Sequence, residues 1–349
     1  MLILAMDLGL SKSAICLLNT GTGLLRTGTC RTDAERIRTL LQRHRPDQVV
    51  VEISPLAAMV HDVAAALGIR VLVADTTQDA WRWRNVKRKT DRDDALKLAR
   101  LAAVGQINPV HIPDPQMRQW RELVEYRAAL VAERTRIKNR LRQLVLVHTG
   151  RRLPTGKNGW TQAVRATLVE TAKPLAGCGA DELWRGLLAT ELEHLHRTEQ
   201  WVAAVDQRLD RLGRADARVA LVRTLPGVGP RVAEAIVTSL DRAERFASRR
   251  QVAAYAGLTP RRFQSGKMDR QGRISKRGRP LLRQLLNQAA WFAMARDPYF
   301  GALFRRVTHG CKGRRKIAIV AVMRQLLVVA WAMLRDRQPY RPAMLARVA

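Results

Sequence analysis

The first hundred residues alternate short apolar runs with stretches of helical periodicity. Strands are predicted at residues 2–6, 14–18, 24–30, 48–53 and 71–74. Helices are predicted at residues 32–44, 57–67 and 91–104. Three consecutive strands followed by alternating strands and helices predict an α/β domain with a mixed sheet, covering residues 1–110.

The next region, residues 111–220, follows a proline-rich boundary and has a helical pattern throughout. Helices are predicted at residues 118–148 and 181–212. Positions three or four apart form one stripe on the first helix: Trp120, Leu123, Arg127, Leu130, Arg134, Ile137, Leu141 and Leu144. The stripe predicts a helical, coiled-coil arm, and it fits pairing between copies as well as packing within one chain.

The C-terminal region, residues 221–349, is predicted to be a helical domain with basic loops. It opens on the sequence LPGVG at 225–229, where a turn joins two helices, and its last long apolar helix covers 314–334. The predicted fold class is therefore α/β plus all-α.

The charge of the chain indicates which class of partner it binds. The chain has 62 Lys and Arg against 30 Asp and Glu residues, a formal net charge of +32. Residues 1–110 have a net charge of +5 and residues 225–349 have +20. Such a field favours a nucleic acid partner. The four cysteines form no CxxC pair and no uncharged stretch spans a membrane, so we expect a cytoplasmic protein without zinc, disulfides or membrane contact.

Four acids in the first domain are candidates for metal chemistry. Asp7 and Glu52 each follow a fully apolar run, and strand ends are where α/β sheets bind ligands. Asp91 and Asp94 lie three apart at the start of a predicted helix and share one side of it. Together these carboxylates can hold Mg²⁺ for phosphate chemistry. Alternatively, Asp91, Asp93 and Asp94 serve only to complement the helix dipole, and Thr90 caps the helix.

Residues 87–95 (KRKTDRDDA) resemble the K-T-D-x-x-D-A signature of the DEDD transposases of the insertion sequence one-ten family. The C-terminal region resembles the same family in its segments 225–229 (LPGVG), 254–262 (AYAGLTPRR), 263–267 (FQSGK), 272–278 (GRISKRG) and 282–283 (LR). These motifs span about residues 1–335. One segment departs from the family pattern, because Glu52 is followed by ISPLA instead of Thr-Gly-x-Tyr.

The resemblance implies a RuvC-like, RNase H-type first domain whose four acids are Asp7, Glu52, Asp91 and Asp94, with Mg²⁺ as cofactor. It implies that Ser265 attacks DNA and forms a covalent phosphoserine link. It further implies guidance by a structured non-coding RNA of the element, a four-way-junction intermediate, and a homo-oligomer, a dimer that becomes a tetramer in the synaptic complex.

The residues around Ser265 suit phosphate chemistry, although a Ser-Gly pair in a basic loop can also be a simple turn. Ser275 is the nearest rival, and we assign it to binding. The predicted nucleic-acid contacts are Gly227, Gly229, Arg261, Arg262, Lys267, Arg273, Ser275, Lys276 and Arg277. The LPGVG turn can present backbone N–H groups to phosphate or merely join two helices.

The sequence therefore predicts a transposase that cuts and rejoins DNA strands to mobilise an insertion sequence. Two other functions stay open. A structure-selective Holliday-junction endonuclease would use the acids without a protein nucleophile, and an architectural nucleic-acid-binding protein would use neither.

Overall fold

The computed structural model describes residues 1–75, 90–156, 159–265 and 268–341. They divide into two compact units, Met1–Asp114 (unit 1) and Pro115–Ala349 (unit 2). The strands of unit 1 are β1 (Leu2–Asp7), β2 (Lys12–Asn19), β3 (Leu25–Arg31), β4 (Gln48–Glu52) and β5 (Arg70–Ala74). Its helices are α1 (Ala34–His44), α2 (Ala57–Ala66) and α3 (Asp91–Ala103).

The five strands of unit 1 form one mixed sheet of order β3-β2-β1-β4-β5. β1, β2 and β3 pair antiparallel, whereas β4 and β5 run parallel to β1. Leu4 and Met6 of β1 pack in one core with α1 and α2, and Ile3 and Ala5 pack in a second core with α3. The alternation of β1 thus buries both faces of the sheet, and the expected mixed α/β architecture is confirmed.

Unit 2 is mostly helical. Its helices are α4 (Pro115–Thr149), α5 (Gln162–Thr171), α6 (Leu183–Ala215), α7 (Ala217–Val222), α8 (Pro230–Leu240), α9 (Arg249–Tyr255), α10 (Pro280–Arg296), α11 (Pro298–Thr308) and α12 (Arg315–Asp336). Two strands, β6 (Pro260–Ser265) and β7 (Met268–Ile274), form an antiparallel hairpin between α9 and α10.

Two apolar cores hold unit 2 together, and α4 contributes to both. Ile137 and Leu141 pack with α5 and α6 through residues such as Leu168 and Leu195. The start of α4, including Trp120, belongs instead to the larger core around α8, α10 and α12. The stripe of α4 is therefore buried largely within the chain. Because α4 joins both cores, residues 115–349 form one unit, and the division at residue 220 stays a prediction.

The hairpin corrects the expectation that residues 221–349 are all-α. The described side chains of β6 and β7 are mostly exposed on both faces. A strand that buries neither face has no alternation of apolar and polar residues, so the sequence pattern could not reveal it.

The long apolar helix near the C-terminus belongs to the core of unit 2. The segment Lys312–Asp336 is long and apolar enough to cross a membrane, but 72% of its most apolar window is buried inside the protein. Val322, Leu326 and Val329 of α12 are completely buried. That burial is typical of the central helix of a helical domain.

Candidate active-site residues and nucleic-acid interface

Asp7 and Glu52 end two neighbouring parallel strands of the unit 1 sheet. β1 and β4 pair in register, so the two acids come to the same edge of the sheet. Side chains alternate along a strand, and Asp7 therefore shares the face of Ala5, as Glu52 shares the face of Val50. That face is covered by α3. With neighbouring strands about 4.8 Å apart, register alone brings these two carboxylates together.

The start of α3 separates its three acids into different roles. The Asp93 backbone N–H donates to Thr90 Oγ1 at 3.4 Å, and the Thr90 backbone N–H donates to Asp93 Oδ2 at 3.0 Å. The Thr90 hydroxyl also donates to Asp93 Oδ2 at 2.7 Å, and this bond, together with the one from the Thr90 N–H, lowers the pKa of the Asp93 carboxyl. Asp94 is 7% exposed and precedes the core residue Ala95, whereas Asp91 is exposed. Asp93 thus caps the helix. Asp94 lies one turn before Leu98, which packs in the core between α3 and the sheet, and it shares the buried side of α3.

The four predicted metal ligands all lie in the described part of unit 1. Among the described residues, no group of three or more His, Cys, Asp or Glu side chains could hold a metal ion. The donor chemistry nevertheless fits, because carboxylate oxygens are the ligands that Mg²⁺ prefers. Unit 1 therefore supplies suitable donors and brings two of them, Asp7 and Glu52, to one edge.

The predicted nucleophile lies at the end of a β-strand. β6 ends at Ser265, whose backbone pairs with that of Met268, while residues 266 and 267 lie outside the described part of the chain, Lys267 among them. The described side chains next to this end are exposed: Arg261, Arg262, Phe263, Gln264, Met268, Asp269 and Arg270. Ser265 is thus carried on a two-stranded arm whose neighbouring side chains face solvent.

The base of the hairpin is fixed by two glycines and one arginine. Gly257 has φ +69° and Gly278 has φ +91°, and a Cβ on either would collide with the backbone of the segment opposite. Arg283 Nη1 donates to the carbonyl oxygens of Ala256, Arg277 and Gly278 at 3.1, 3.3 and 3.2 Å. The segments that flank the two strands, residues 254–259 and 275–283, therefore form a clamp that holds the base of the hairpin.

Six of the predicted nucleic-acid contacts lie along this hairpin and its clamp. Arg262 binds Asp269 across the two strands with distances of 2.8 and 2.6 Å, which lowers the pKa of the Asp269 carboxyl. Arg261 donates to the Ser275 carbonyl oxygen at 3.4 Å. The Ser275 N–H in turn donates to the carbonyl of Thr259 at 2.8 Å, so this serine is part of the clamp. Three further cations are exposed here: Arg273, Lys276 and Arg277.

The two glycines of the LPGVG turn have different surroundings. Gly227 has φ +79°, and a Cβ on it would come within 2.8 Å of the Ala293 nitrogen of α10. Gly229 precedes α8, and a Cβ there would meet no atom within 4 Å. Gly227 thus permits close packing on α10, and Gly229 is the position of this turn with open space.

The most deeply buried acid among the described residues was not one of the sequence-based candidates. Glu234 of α8 is 1% exposed and accepts a hydrogen bond from Arg231 Nη1 at 3.0 Å. Arg231 also binds Asp206 and Asp210 of α6. Burial raises the pKa of Glu234 to about 7, against the attraction of Arg231. Its signal was a single acid within an apolar run, the signal that singled out Asp7 and Glu52.

Comparison with known protein families gives two matches in separate parts of the chain. Residues 4–149 match the DEDD transposase model of the IS110 type, described as Transposase. Residues 219–305 match the model described as Transposase IS116/IS110/IS902 family. The first match includes all four predicted acids, and the second includes Ser265 and the hairpin clamp.

Individual proteins show the same likeness. A putative transposase of Sinorhizobium fredii is 29% identical over 320 residues, 85% of this chain and 79% of that protein. The pilin gene-inverting protein of Moraxella bovis is 32% identical over 125 residues, 35% of this chain and 38% of that protein.

A solved structure also matches part of the chain. The RuvC structure of Thermus thermophilus covers 32% of this chain and 100% of its own, with 17% identity, and its TM-score of 0.26 is too low to argue a shared fold. The family matches and the relatives agree with each other: the chain is a transposase, and it carries the DEDD and C-terminal transposase domains of the IS110/IS116/IS902 family.

Proposed function

We propose that this transposase cuts and rejoins DNA strands to mobilise an insertion sequence, with Ser265 as its nucleophile. Asp7, Glu52, Asp91 and Asp94 are its proposed metal ligands. The observation that carries the proposal is the register of β1 and β4, which brings Asp7 and Glu52 to one edge and one face of the sheet. Carboxylate oxygens are the ligands that Mg²⁺ prefers, and this register places two of them side by side.

The proposal divides the chain into three domains. Residues 1–110 form a RuvC-like, RNase H-type domain, 111–220 the helical arm, and 221–349 the serine-bearing domain. The mixed sheet, with three antiparallel strands followed by two parallel ones, supports the first assignment. The hairpin and its clamp support the last, because they present the Ser265 backbone on an exposed arm.

In the proposed reaction the Ser265 hydroxyl oxygen attacks a DNA phosphorus atom. The bond from phosphorus to one deoxyribose oxygen breaks, and that oxygen leaves with a proton. The resulting serine phosphodiester keeps the energy of the broken bond, so a second DNA hydroxyl can displace the serine without ATP. The exposed cations Arg261, Arg273 and Lys276 would stabilise the negative charge that develops on the phosphate.

The four carboxylates of unit 1 take part in the proposed reaction as metal ligands. Mg²⁺ held by the four acids would supply Lewis-acid stabilisation of the phosphate charge. Strand register fixes the positions of Asp7 and Glu52, and the packing of α3 on the sheet fixes that of Asp94. A serine hydroxyl is a weak nucleophile without activation, and activation by the carboxylate-bound metal is part of the proposal.

Nucleic acid and a second copy of the chain complete the proposed assembly. The resemblance to the family supports a structured guide RNA, and the net charge of +20 in residues 225–349 supports binding of DNA and RNA. A groove on the arm, lined by apolar residues such as Leu144, Val147 and Leu187, supports pairing with another copy. The name of the Moraxella bovis relative, a pilin gene-inverting protein, supports recombination as the type of reaction.

The test is a search for DNA covalently bound to protein. The stalled reaction on a nicked substrate is run on a denaturing gel with the wild type, Ser265→Ala and Ser275→Ala. The wild type and Ser275→Ala should give the adduct, and Ser265→Ala should bind DNA without forming it. Cleavage without any adduct would support the junction endonuclease, and binding without cleavage would support the architectural protein.

A further inference from the structure

Trp291 lies on the surface of unit 2, where α10, α11 and the start of α12 meet. It is 37% exposed. Its ring centroid is 5.9 Å from that of Phe304, with the planes tilted by 56°. The guanidinium of Arg315 lies 5.8 Å from the same ring centroid, close to the outer limit of about 6 Å for a cation–π contact. The arginine can therefore move aside without losing a strong interaction.

The core of unit 2 does not account for this indole ring. Trp331 of α12 shows the contrasting case, because it is 5% exposed and its Nε1 donates to the Ala243 carbonyl at 2.8 Å. The core-facing residues of α10 are other side chains: Leu282, Leu286, Ala289, Ala290 and Ala293. Trp291 thus adds a flat aromatic surface to the outside of the molecule.

The charge beside the ring has one sign. Four of the five residues at 312–316 are basic, and all four are exposed: Lys312, Arg314, Arg315 and Lys316. The first turn of α12 holds no acidic residue. Cations at the start of a helix are unfavourable to the helix itself, so this charge does not serve the stability of α12. It is complementary to a polyanion.

We propose that the Trp291 patch (Trp291, Phe304, Lys312, Arg314, Arg315 and Lys316) binds an unpaired stretch of DNA. One base stacks on the exposed indole surface, and the flanking phosphates lie beside the four cations. An aromatic ring stacks on a base only where the face of that base is open, which duplex DNA does not offer. The inference rests on the proposed function, because strand exchange is the step that exposes unpaired DNA.

The test compares three short oligonucleotides of equal length: oligodeoxythymidine, oligouridine and a chain of abasic spacers with the same phosphates. Trp291→Leu keeps an apolar side chain and removes the ring. It should weaken binding of oligodeoxythymidine about tenfold, within the range for loss of one stacked base. Binding of the abasic chain should be unchanged. Lys312→Gln should instead weaken both and lower the magnitude of the log–log salt slope by about 0.7.

A matched control is Trp201→Leu, since Trp201 is 50% exposed but lies on α6 of the arm. It should leave all three affinities unchanged, and thermal unfolding of each variant checks that the fold is intact. Equal affinities of the wild type and Trp291→Leu for oligodeoxythymidine would overturn the proposal. A loss confined to oligouridine would assign the patch to RNA, and a change in oligomeric state alone would assign it to a protein interface.

The adduct assay distinguishes a failure of the Trp291 patch from a failure of the proposed reaction. If the wild type forms the Ser265 adduct and Trp291→Leu binds like the wild type, only the Trp291 patch is wrong. If no adduct forms but the ring discriminates oligodeoxythymidine from the abasic chain, the patch stands and the proposed reaction is wrong.

Discussion

The two units carry their candidate chemistry in opposite settings. In unit 1, Asp7 and Glu52 stand at the ends of strands whose preceding residues are completely buried. In unit 2, the backbone of Ser265 ends an exposed strand and depends on a clamp at the far end of the hairpin. A buried sheet fixes the spacing of ligands, whereas an exposed hairpin presents a reactive group and its cations to a large partner. The two settings predict different responses to substitution.

The largest expected effect is on catalysis in unit 1. Asp7→Asn removes a charge at the sheet edge without changing the shape of the side chain, so the unit should fold normally. Loss of several kcal/mol of transition-state stabilisation corresponds to a drop of at least about a hundredfold in strand transfer. Asp93→Asn is the control, because Asp93 caps α3 and should give nearly normal transfer. Full activity in Asp7→Asn would remove this acid from the mechanism.

The next effect is on folding in unit 2, where the clamp depends on glycine. Gly257→Ala should destabilise the protein by about 3 kcal/mol, since positive φ costs about 1–2 kcal/mol and the new Cβ meets the backbone near Arg277. Gly310→Ala measures the cost of positive φ alone, because Gly310 has φ +73° and a Cβ there would meet no atom within 4 Å. Denaturant unfolding measures both. Equal losses in the two variants would show that the close contact at the clamp contributes nothing.

The smallest expected effect is a pH dependence confined to unit 2. Glu234 has a pKa raised to about 7 by burial, against an ordinary value of 4.5. The folded state therefore holds a proton that the unfolded chain releases, and stability falls as the pH rises from about 4.5 to about 7. Glu234→Gln should gain stability relative to the wild type over that range, by at most about 3 kcal/mol. Parallel stability–pH curves for the two proteins would contradict the assignment.

The same contrast explains what the sequence could predict. Four of the five strands of unit 1 were predictable because they bury side chains in the sheet. Asp7 and Glu52 were visible as acids after apolar runs. The hairpin of unit 2 was not predictable from its pattern, because Arg261, Phe263 and their neighbours bury neither face. Ser265 was identified as the candidate nucleophile only through the family resemblance.

Tertiary contacts explain the remaining differences. Gly227 packs against α10, a contact between residues more than sixty positions apart that no local pattern encodes. The role of Arg283 also depends on carbonyl groups brought together by the fold. The local cap formed by Thr90 and Asp93, by contrast, was readable from their spacing.

The central claim, that Ser265 joins the protein to DNA, can be measured at the residue itself. Digestion of the adduct with nuclease and trypsin cuts after Arg262 and Lys267 and leaves the peptide FQSGK, in which Ser265 is the one serine. Ser275 falls on a separate peptide, ISK. Mass spectrometry should find the nucleotide on FQSGK and the ISK peptide unmodified. A nucleotide on ISK, or on neither peptide, would contradict the claim.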